Sequence, residues 1–249
     1  MFLRGVLNKT VKEKIILGVS GGLDSTVTLK LAVEAAGAAN VMTGIFPYNM
    51  EGLQEAIKVT QWAGIPPNNV YIKDIAPIVD SFGIYDQERK GNIMARVRMI
   101  FLFDIAKTMN ALVCGTENKT EKELGYFTRY GDAASDIEVI NDLYKTDVLG
   151  LASELKVPME VMDRAPSAGL FKGQTDEGDF GFSYQEADTV LMNEDIGVQP
   201  MKIDKAIVDK ILLRVKNNKF KQEVPYTFLP GGATGSTSVS ETESSRSES

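Results

Sequence analysis

The residues with the clearest chemical potential come early. Gly18-Val19-Ser20-Gly21-Gly22-Leu23-Asp24-Ser25 follows the apolar run Ile15-Ile16-Leu17 and leads into a helical pattern. A strand that turns through Ser-Gly-Gly into a helix leaves a row of backbone N–H groups at the helix N-terminus, and these donors with the helix dipole favour an anion, most often phosphate. Gly21 and Gly22 permit close approach of a ligand, and Ser20 and Ser25 add hydroxyl donors. Two familiar phosphate loops do not fit. The Walker pattern needs a terminal Gly-Lys-Ser/Thr and this loop has no lysine, and the G-x-G-x-x-G dinucleotide spacing is absent. Asp24 can be read in two ways, as the cap of a glycine turn or as a hard oxygen ligand holding Mg²⁺ against phosphates. The loop alone supports both equally.

A second carboxylate, Glu121, lies five residues after Gly115-Thr116, among Lys119, Lys122 and Glu123, where spacing alone favours a solvated surface acid. Arg96 and Arg129, on the same ground, read as a helix-surface arginine and a loop cation. Whole classes of chemistry are excluded. The chain has no histidine, which rules out imidazole bases and the Ser-His-Asp and Cys-His hydrolases. Its one cysteine, Cys114, sits in the apolar run Ala111-Leu112-Val113 and can form neither a disulfide framework nor a cysteine metal cluster. A net charge of −7 disfavours a nucleic-acid-coating role. No apolar run approaches membrane-spanning length and residues 1–10 carry no signal-peptide core, so a cytoplasmic protein that binds neither nucleic acid nor membrane is expected.

The elements that must position these groups alternate. Residues 14–19, 40–46, 70–75 and 111–115 read as buried strands. Residues 24–36, 51–63 and 92–109 read as helices between them, with Gly37, Gly64 and Pro66-Pro67 as stops. This repetition predicts right-handed βαβ crossovers and an α/β fold, an open, mostly parallel sheet with helices on both faces. Further on, 144–155, 183–192 (Ser183 and Glu186 spaced as a capping box) and 204–217 (Asp204 as N-cap) read as helices. Residues 165–182, rich in Gly, Asp and Pro, read as a loop suited to act as a lid, with Asp176 within it a candidate proton acceptor. Residues 231–249, made largely of Gly, Ser, Thr and Glu, read as a disordered tail after a single domain at 1–230.

Ser20-Gly21-Gly22-Leu23-Asp24-Ser25 after a strand also resembles the pyrophosphate loop of the ATP pyrophosphatases of the adenine-nucleotide α-hydrolase-like fold, enzymes that adenylate a substrate oxygen. Cys114–Lys145 narrows the choice. Gly115-Thr116-Glu117-Asn118-Lys119-Thr120-Glu121, then Gly125-Tyr126-Phe127-Thr128-Arg129-Tyr130-Gly131-Asp132, resembles the ammonia-dependent NAD synthetases, whose members carry GT-x-N-x-[ST]-E, G-[YF]-x-T-x-[YF]-GD and a later lysine. The similarity continues through Ala165-Pro166-Ser167, Gln174-Thr175-Asp176-Glu177 and Phe180-Gly181-Phe182-Ser183-Tyr184, and runs in order from Ile15 to Pro225. It implies that Gly18 to Ser25, Thr116, Lys145 and Ser167 contact ATP, and that Asp24 and Glu121 hold Mg²⁺. It further implies that Arg96, Arg129, Asp136, Phe220 and Lys221 contact deamido-NAD, and that the chain forms a homodimer using ammonia directly. Lys145, at a helix start where a cation is disfavoured, would then face phosphate.

Three departures stand out. Phe220 occupies a position where many relatives have histidine, the connection after Phe46-Pro47-Tyr48 is short, and only Phe2–Leu7 stands for an N-terminal helix. Rival readings are another ligase of the superfamily (GMP-synthetase-like), an RNA thiolase, for which Cys114 alone is poorly suited, and a catalytically silent nucleotide-binding regulator.

Overall fold

The structure is a computed structural model that describes residues 2–167, 174–198, 202–223, 225–228 and 234–235. Helix α1 (Phe2–Thr10) precedes a regular alternation: β1 (Lys14–Gly18), α2 (Leu23–Ala36), β2 (Val41–Ile45), α3 (Leu53–Trp62), β3 (Val70–Ile72), α4 (Ala76–Asp80), α5 (Gln87–Met109) and β4 (Ala111–Gly115). The second half continues with α6 (Lys119–Leu124), β5 (Ile137–Glu138), α7 (Lys145–Glu154), α8 (Met159–Met162), α9 (Asp176–Phe180), α10 (Tyr184–Asp195), α11 (Lys205–Asn218), β6 (Thr227–Phe228) and β7 (Thr234–Gly235). The main sheet has the order β3-β2-β1-β4-β5 and every pairing in it is parallel.

The apolar runs explain the sheet. All residues of β2 and β4 are buried, as are Ile15-Ile16-Leu17 of β1, the pattern of strands covered on both faces. Alternation divides the core. Ile15 and Leu17 pack with Leu3 and Leu7 of α1, Val27 of α2, Val59 of α3 and Val148 of α7. Ile16 packs on the other face with Val79 of α4 and with Met94, Val97 and Leu102 of α5. A third cluster, built on Leu124, Phe180, Phe182, Tyr184 and Ile211, joins α6, α9, α10 and α11 into an annex beyond the sheet.

The α/β expectation holds, with corrections at the edges. Helix α1 extends to Thr10, beyond the short segment expected. The expected loop 165–182 contains helix α9, because Thr175 caps it by accepting from Gly178 N at 3.2 Å. Helix α5 starts at Gln87 and not at 92, since Asp86 accepts from Arg89 N at 2.8 Å and nucleates an earlier first turn. The capping box at Ser183 and the Asp204 cap are both present. Of the expected tail 231–249, Thr234–Gly235 pairs with Thr227–Phe228 as an antiparallel ribbon, and the rest lies outside the described residues.

Two glycines are required for the crevice. Gly21 has φ of 83°, and a Cβ there would sit 3.1 Å from Ala56 N at the start of α3. At Gly115 a Cβ would lie 1.8 Å from Glu138 Oε1 on the neighbouring strand. Replacing Gly21 with alanine puts a side chain on a left-handed dihedral and brings its Cβ into tight contact with the α3 backbone. Gly21→Ala is therefore expected to lower the unfolding free energy by about 1–2 kcal/mol, read from urea denaturation of the purified chain.

Candidate functional site

Strand order makes the site. The chain runs from β1 outward through β2 to β3, then returns to β4 on the other side of β1. Ligands in open α/β sheets bind at such a switch point, beyond the carboxyl ends of the strands. A cleft of about 1450 Å³ lies there, lined by the loop after β1, Thr116 after β4, and residues of α5, α6, α7 and α9. Its size exceeds what a single drug-sized ligand needs.

The loop leaves α2 with an open N-terminus. Gly22 is the N-cap and no side chain caps it. The serines shape the turn: Gly22 N donates to Ser20 Oγ at 3.2 Å, and Ser25 Oγ donates to Gly22 O at 3.0 Å. Asp24 is not the cap, so the capped-turn reading of the sequence does not hold. Its carboxylate faces across the cleft, where Asn118 Nδ2 donates to Oδ1 at 3.1 Å and the Lys145 ammonium bonds Oδ2.

Lys145 ties the pieces together. Its Nζ bonds Asp24 and also Glu121 Oε1 at 3.2 Å, so side chains from α2, α6 and α7 meet at one ammonium. Lys145 is 6% exposed. Burial alone would push its ammonium down, but the Asp24 and Glu121 carboxylates outweigh that and raise it above the ordinary lysine range. The cation at the first residue of α7, unfavourable on dipole grounds, is thus held by two acids, with Asp147 adding a third negative charge in the same turn. Glu121 is not a solvated surface acid. Burial pushes its carboxyl up to about 7, with Lys145 opposing and Asp24 and Asp176 adding to the rise.

Several further residues support this triad, and of these Asp188 carried no sequence signal of its own. Asn118 accepts from Glu121 N at 3.0 Å as the cap of α6, so the Asn of the GT-x-N motif aligns the metal-ligand candidate three residues later. Asp188, 2% exposed on α10, accepts from the Thr120 hydroxyl and from Thr146 N at 2.8 Å. It therefore joins the first turns of α6 and α7, which carry Glu121 and Lys145. Tyr184 OH contacts Glu121 Oε1 at 3.3 Å and Asp176 Oδ2 at 2.9 Å, while Tyr126 OH contacts Asp176 Oδ1 at 3.1 Å and Asp179 Oδ2 at 2.9 Å. Asp176 is thereby buried at the start of α9 beside the triad. Arg164, also unmarked in the sequence, donates to Gly21 O at 3.2 Å from the segment that leads to Ser167.

Not every expected residue reaches the cleft. The loop residues Gly18, Val19, Ser20, Gly22, Leu23, Asp24 and Ser25 line it, together with Thr116, Glu121, Lys145, Ser167, Asp176 and Lys221. Arg96, Arg129, Asp136 and Phe220 do not. Arg96 Nε donates to Arg129 O at 3.2 Å on the surface of α5, and the Arg129 guanidinium lies 5.2 Å from the centre of the Phe220 ring. Asp136 accepts from Val113 N at 2.8 Å and so fixes the edge of β4. Lys221 Nζ donates to the carbonyls of Gly125 and Phe127.

Beside Gly115 lies a group of acids. Burial pushes Glu117 up to about 8, with Asp132 and Glu138 adding to the rise. Burial likewise pushes Glu138 up to about 7, opposed by the Ser135 hydroxyl at 2.7 Å. Glu117 Oε1 and Glu138 Oε2 are buried without a hydrogen-bond partner among the described residues.

With this geometry in place, comparison with known proteins is informative. The family model described as NAD synthase matches residues 1–225. The NH(3)-dependent NAD(+) synthetase of Pelodictyon phaeoclathratiforme is 40% identical over 94% of this chain and 88% of its own length. That of Chlorobaculum tepidum is 39% identical over 90% of this chain and 84% of its own. Among solved structures, the NMN synthetase of Francisella tularensis superposes with a TM-score of 0.81 at 31% identity, covering 92% of this chain and 94% of that one. The NH3-dependent NAD synthetase of Campylobacter jejuni superposes with a TM-score of 0.76 at 27% identity, covering 92% and 95%.

The raised acids give stability a defined pH dependence. Glu138 holds its proton to about 7 when folded, whereas an unfolded glutamate loses it near 4.3. Between those values the folded chain binds more protons, so this contribution is full at pH 4 and is lost as pH rises through 7. Glu138→Gln, which cannot ionise, is expected to raise Tm relative to the parent at pH 8 and to leave the difference near zero at about pH 4, followed by thermal melts across that range.

Proposed function

The chain belongs to the NAD synthase family, and from that premise we propose that it amidates deamido-NAD to NAD with ammonia, consuming ATP and releasing AMP and pyrophosphate. It is a carbon–nitrogen ligase of the ATP pyrophosphatase type. The observation that carries the reading is the meeting of Asp24, Glu121 and Lys145 beneath the open N-terminus of α2. Two carboxylates with a cation at a phosphate-binding helix end suit chemistry on a nucleoside triphosphate.

The nicotinate carboxylate attacks the α-phosphorus of ATP, forming a carboxylate–phosphate bond as the bond to pyrophosphate breaks. Ammonia then attacks the carbonyl carbon of the acyl-adenylate, AMP leaves, and the amide nitrogen sheds a proton. No protein nucleophile is used, in keeping with a chain that has no histidine and whose one cysteine is buried, its thiol pushed up to about 12 chiefly by burial. The side chains instead bind and orient. The α2 amides and the Ser20 and Ser25 hydroxyls hold phosphate oxygens, Thr116 and Ser167 contact the nucleotide, and Lys145 offsets charge on departing pyrophosphate.

Asp24 and Glu121 would hold Mg²⁺. Both reach one cation in this structure, and among the described residues no third Asp, Glu, His or Cys completes a metal cage. That donor set suits an ion that takes one or two carboxylates and leaves its other positions to phosphate oxygens and water. When bound, Mg²⁺ would neutralise phosphate charge. Asp176, held by Tyr126 and Tyr184, is the candidate to take the proton from ammonium. Arg96, Arg129, Asp136, Phe220 and Lys221 are the candidates for deamido-NAD.

A homodimer fits the outer stripe of α5, where Ile100 and Phe103 are 67% and 39% exposed alongside the exposed Arg96. Pairing two such stripes would cover apolar surface. No helix among the described residues is long and apolar enough to cross a membrane, and a cytoplasmic location is proposed. The likeness to an NMN synthetase raises nicotinate mononucleotide as a second substrate candidate, with the same carboxylate and the same chemistry.

Supplied with ATP, Mg²⁺, ammonium and deamido-NAD, the purified chain is expected to produce NAD and AMP in equal amounts, measured by chromatography. Release of ADP in place of AMP would overturn the mechanism. Faster turnover of nicotinate mononucleotide would reassign the substrate. Asp24→Asn is expected to lower kcat by about 10²-fold or more with the fold retained by circular dichroism.

A further inference from the structure

Helix α5 presents two arginines, Arg96 and Arg98, and only one can face the site. Residues two apart on an α-helix point roughly 200° from each other. The cleft is lined by Gly91, Asn92, Ala95, Arg98, Met99 and Leu102, a stripe at the three- and four-residue spacing of one helix face. Arg96 lies on the opposite, exposed side.

Arg98 is also an arginine of the cleft whose charge meets no acid within ion-pair distance. Its Nε donates to Phe46 O at 3.0 Å, at the carboxyl end of β2, and its two terminal nitrogens make no ion pair or hydrogen bond among the described residues. The lysines of the cleft are committed, Lys145 to two carboxylates and Lys221 to two carbonyls. Arg164 spends one nitrogen on Gly21 O and the Arg214 guanidinium stacks 4.8 Å from the Phe180 ring, so Arg98 is set apart by its place on the cleft face of α5. Burial pulls Arg98 below the ordinary arginine range, and the Asp132 carboxylate opposes that from beyond ion-pair distance. A cation withdrawn from water without an acid partner is costly, and an oxyanion presented to its free fork would offset that cost through a charge-assisted pair.

We propose that Arg98, rather than Arg96 of the same helix, is the specificity-determining cation that binds an oxyanion of the second substrate, either the nicotinate carboxylate or the phosphate beside it. The inference rests on the proposed amidation reaction. The Phe46 contact fits this role: the carbonyl holds Nε and leaves the two terminal nitrogens of a cleft-lining arginine without a partner among the described residues.

The test is calorimetric binding of deamido-NAD, of NAD and of ATP to the parent, Arg98→Gln, Arg98→Lys and Arg96→Gln chains, with Tm recorded for each. Arg98→Gln is expected to weaken deamido-NAD on the order of 10–100-fold, the loss that matches a hydrogen bond to a charged group, with ATP affinity unchanged. Arg98→Lys should recover part of it. A loss confined to deamido-NAD identifies the carboxylate, because NAD carries an amide there, and an equal loss for NAD identifies the phosphate. Unchanged deamido-NAD affinity in Arg98→Gln, or a larger loss in Arg96→Gln, would overturn the assignment while leaving the amidation reaction standing. Failure of the parent chain to bind deamido-NAD at all would overturn the reaction and the Arg98 role together.

Discussion

A buried ammonium between two carboxylates is the constraint around which this structure is arranged. Lys145 is almost fully withdrawn from water and bonds Asp24 and Glu121, which arrive from different helices. Removing either acid would leave buried charge poorly compensated, a situation that costs several kcal/mol in general. The fold therefore has to bring α2, α6 and α7 to one point and hold them there. It does so because β1 and β4 are neighbours in the sheet, so that the helix after β1 and the short helix after β4 both start above the same crevice. Asp188 then locks the first turns of α6 and α7 together from the annex side.

The same arrangement reconciles an acidic chain with anionic ligands. Net charge is −7, yet the cleft offers an uncapped helix N-terminus and the guanidinium groups of Arg98, Arg164 and Arg214. Local fields from fixed dipoles and a few oriented cations decide binding at a site, whereas net charge governs longer-range behaviour. Of the acids inside the cleft, Asp24 and Glu121 share the Lys145 ammonium, and burial raises the Asp132 carboxyl above the ordinary aspartate range.

Much of this was legible in the sequence, and the gaps have physical causes. The buried runs 14–18, 41–45 and 111–115 announced a parallel sheet because strands covered on both faces must be apolar throughout. Asp24, Glu121 and Lys145 could be paired in advance only through linked motifs, since their separation along the chain says nothing of contact. What stayed hidden was of two kinds. Short helices such as α6 and α9 are specified by a capping side chain, Asn118 or Thr175, more than by periodicity, which six or five residues cannot display. Supporting residues such as Asp188 and Tyr184 sit on an ordinary amphipathic helix, and only the packing of α10 against α6 and α7 reveals what they bind. The choice between Arg96 and Arg98 was of the same type: spacing says that they diverge, and the neighbours decide which one faces inward.

Phe220 illustrates how a change of residue type can preserve an arrangement. A phenyl ring offers neither a hydrogen-bond donor nor a strong acceptor. The ring instead lies 5.2 Å from the Arg129 guanidinium, and Lys221, next in the chain, sits 4.5 Å from the Phe127 ring. Cation–π contact orients a guanidinium without consuming its donors, so Arg129 keeps all of its N–H groups for other partners. Lys221 is different, because its ammonium is committed to the Gly125 and Phe127 carbonyls and so closes the turn after α6. Through that turn the C-terminal end of α11 holds the end of the helix that bears Glu121. The aromatic face thus orients Arg129, and the link between the C-terminal segment and the helix that bears Glu121 is made by the lysine beside it.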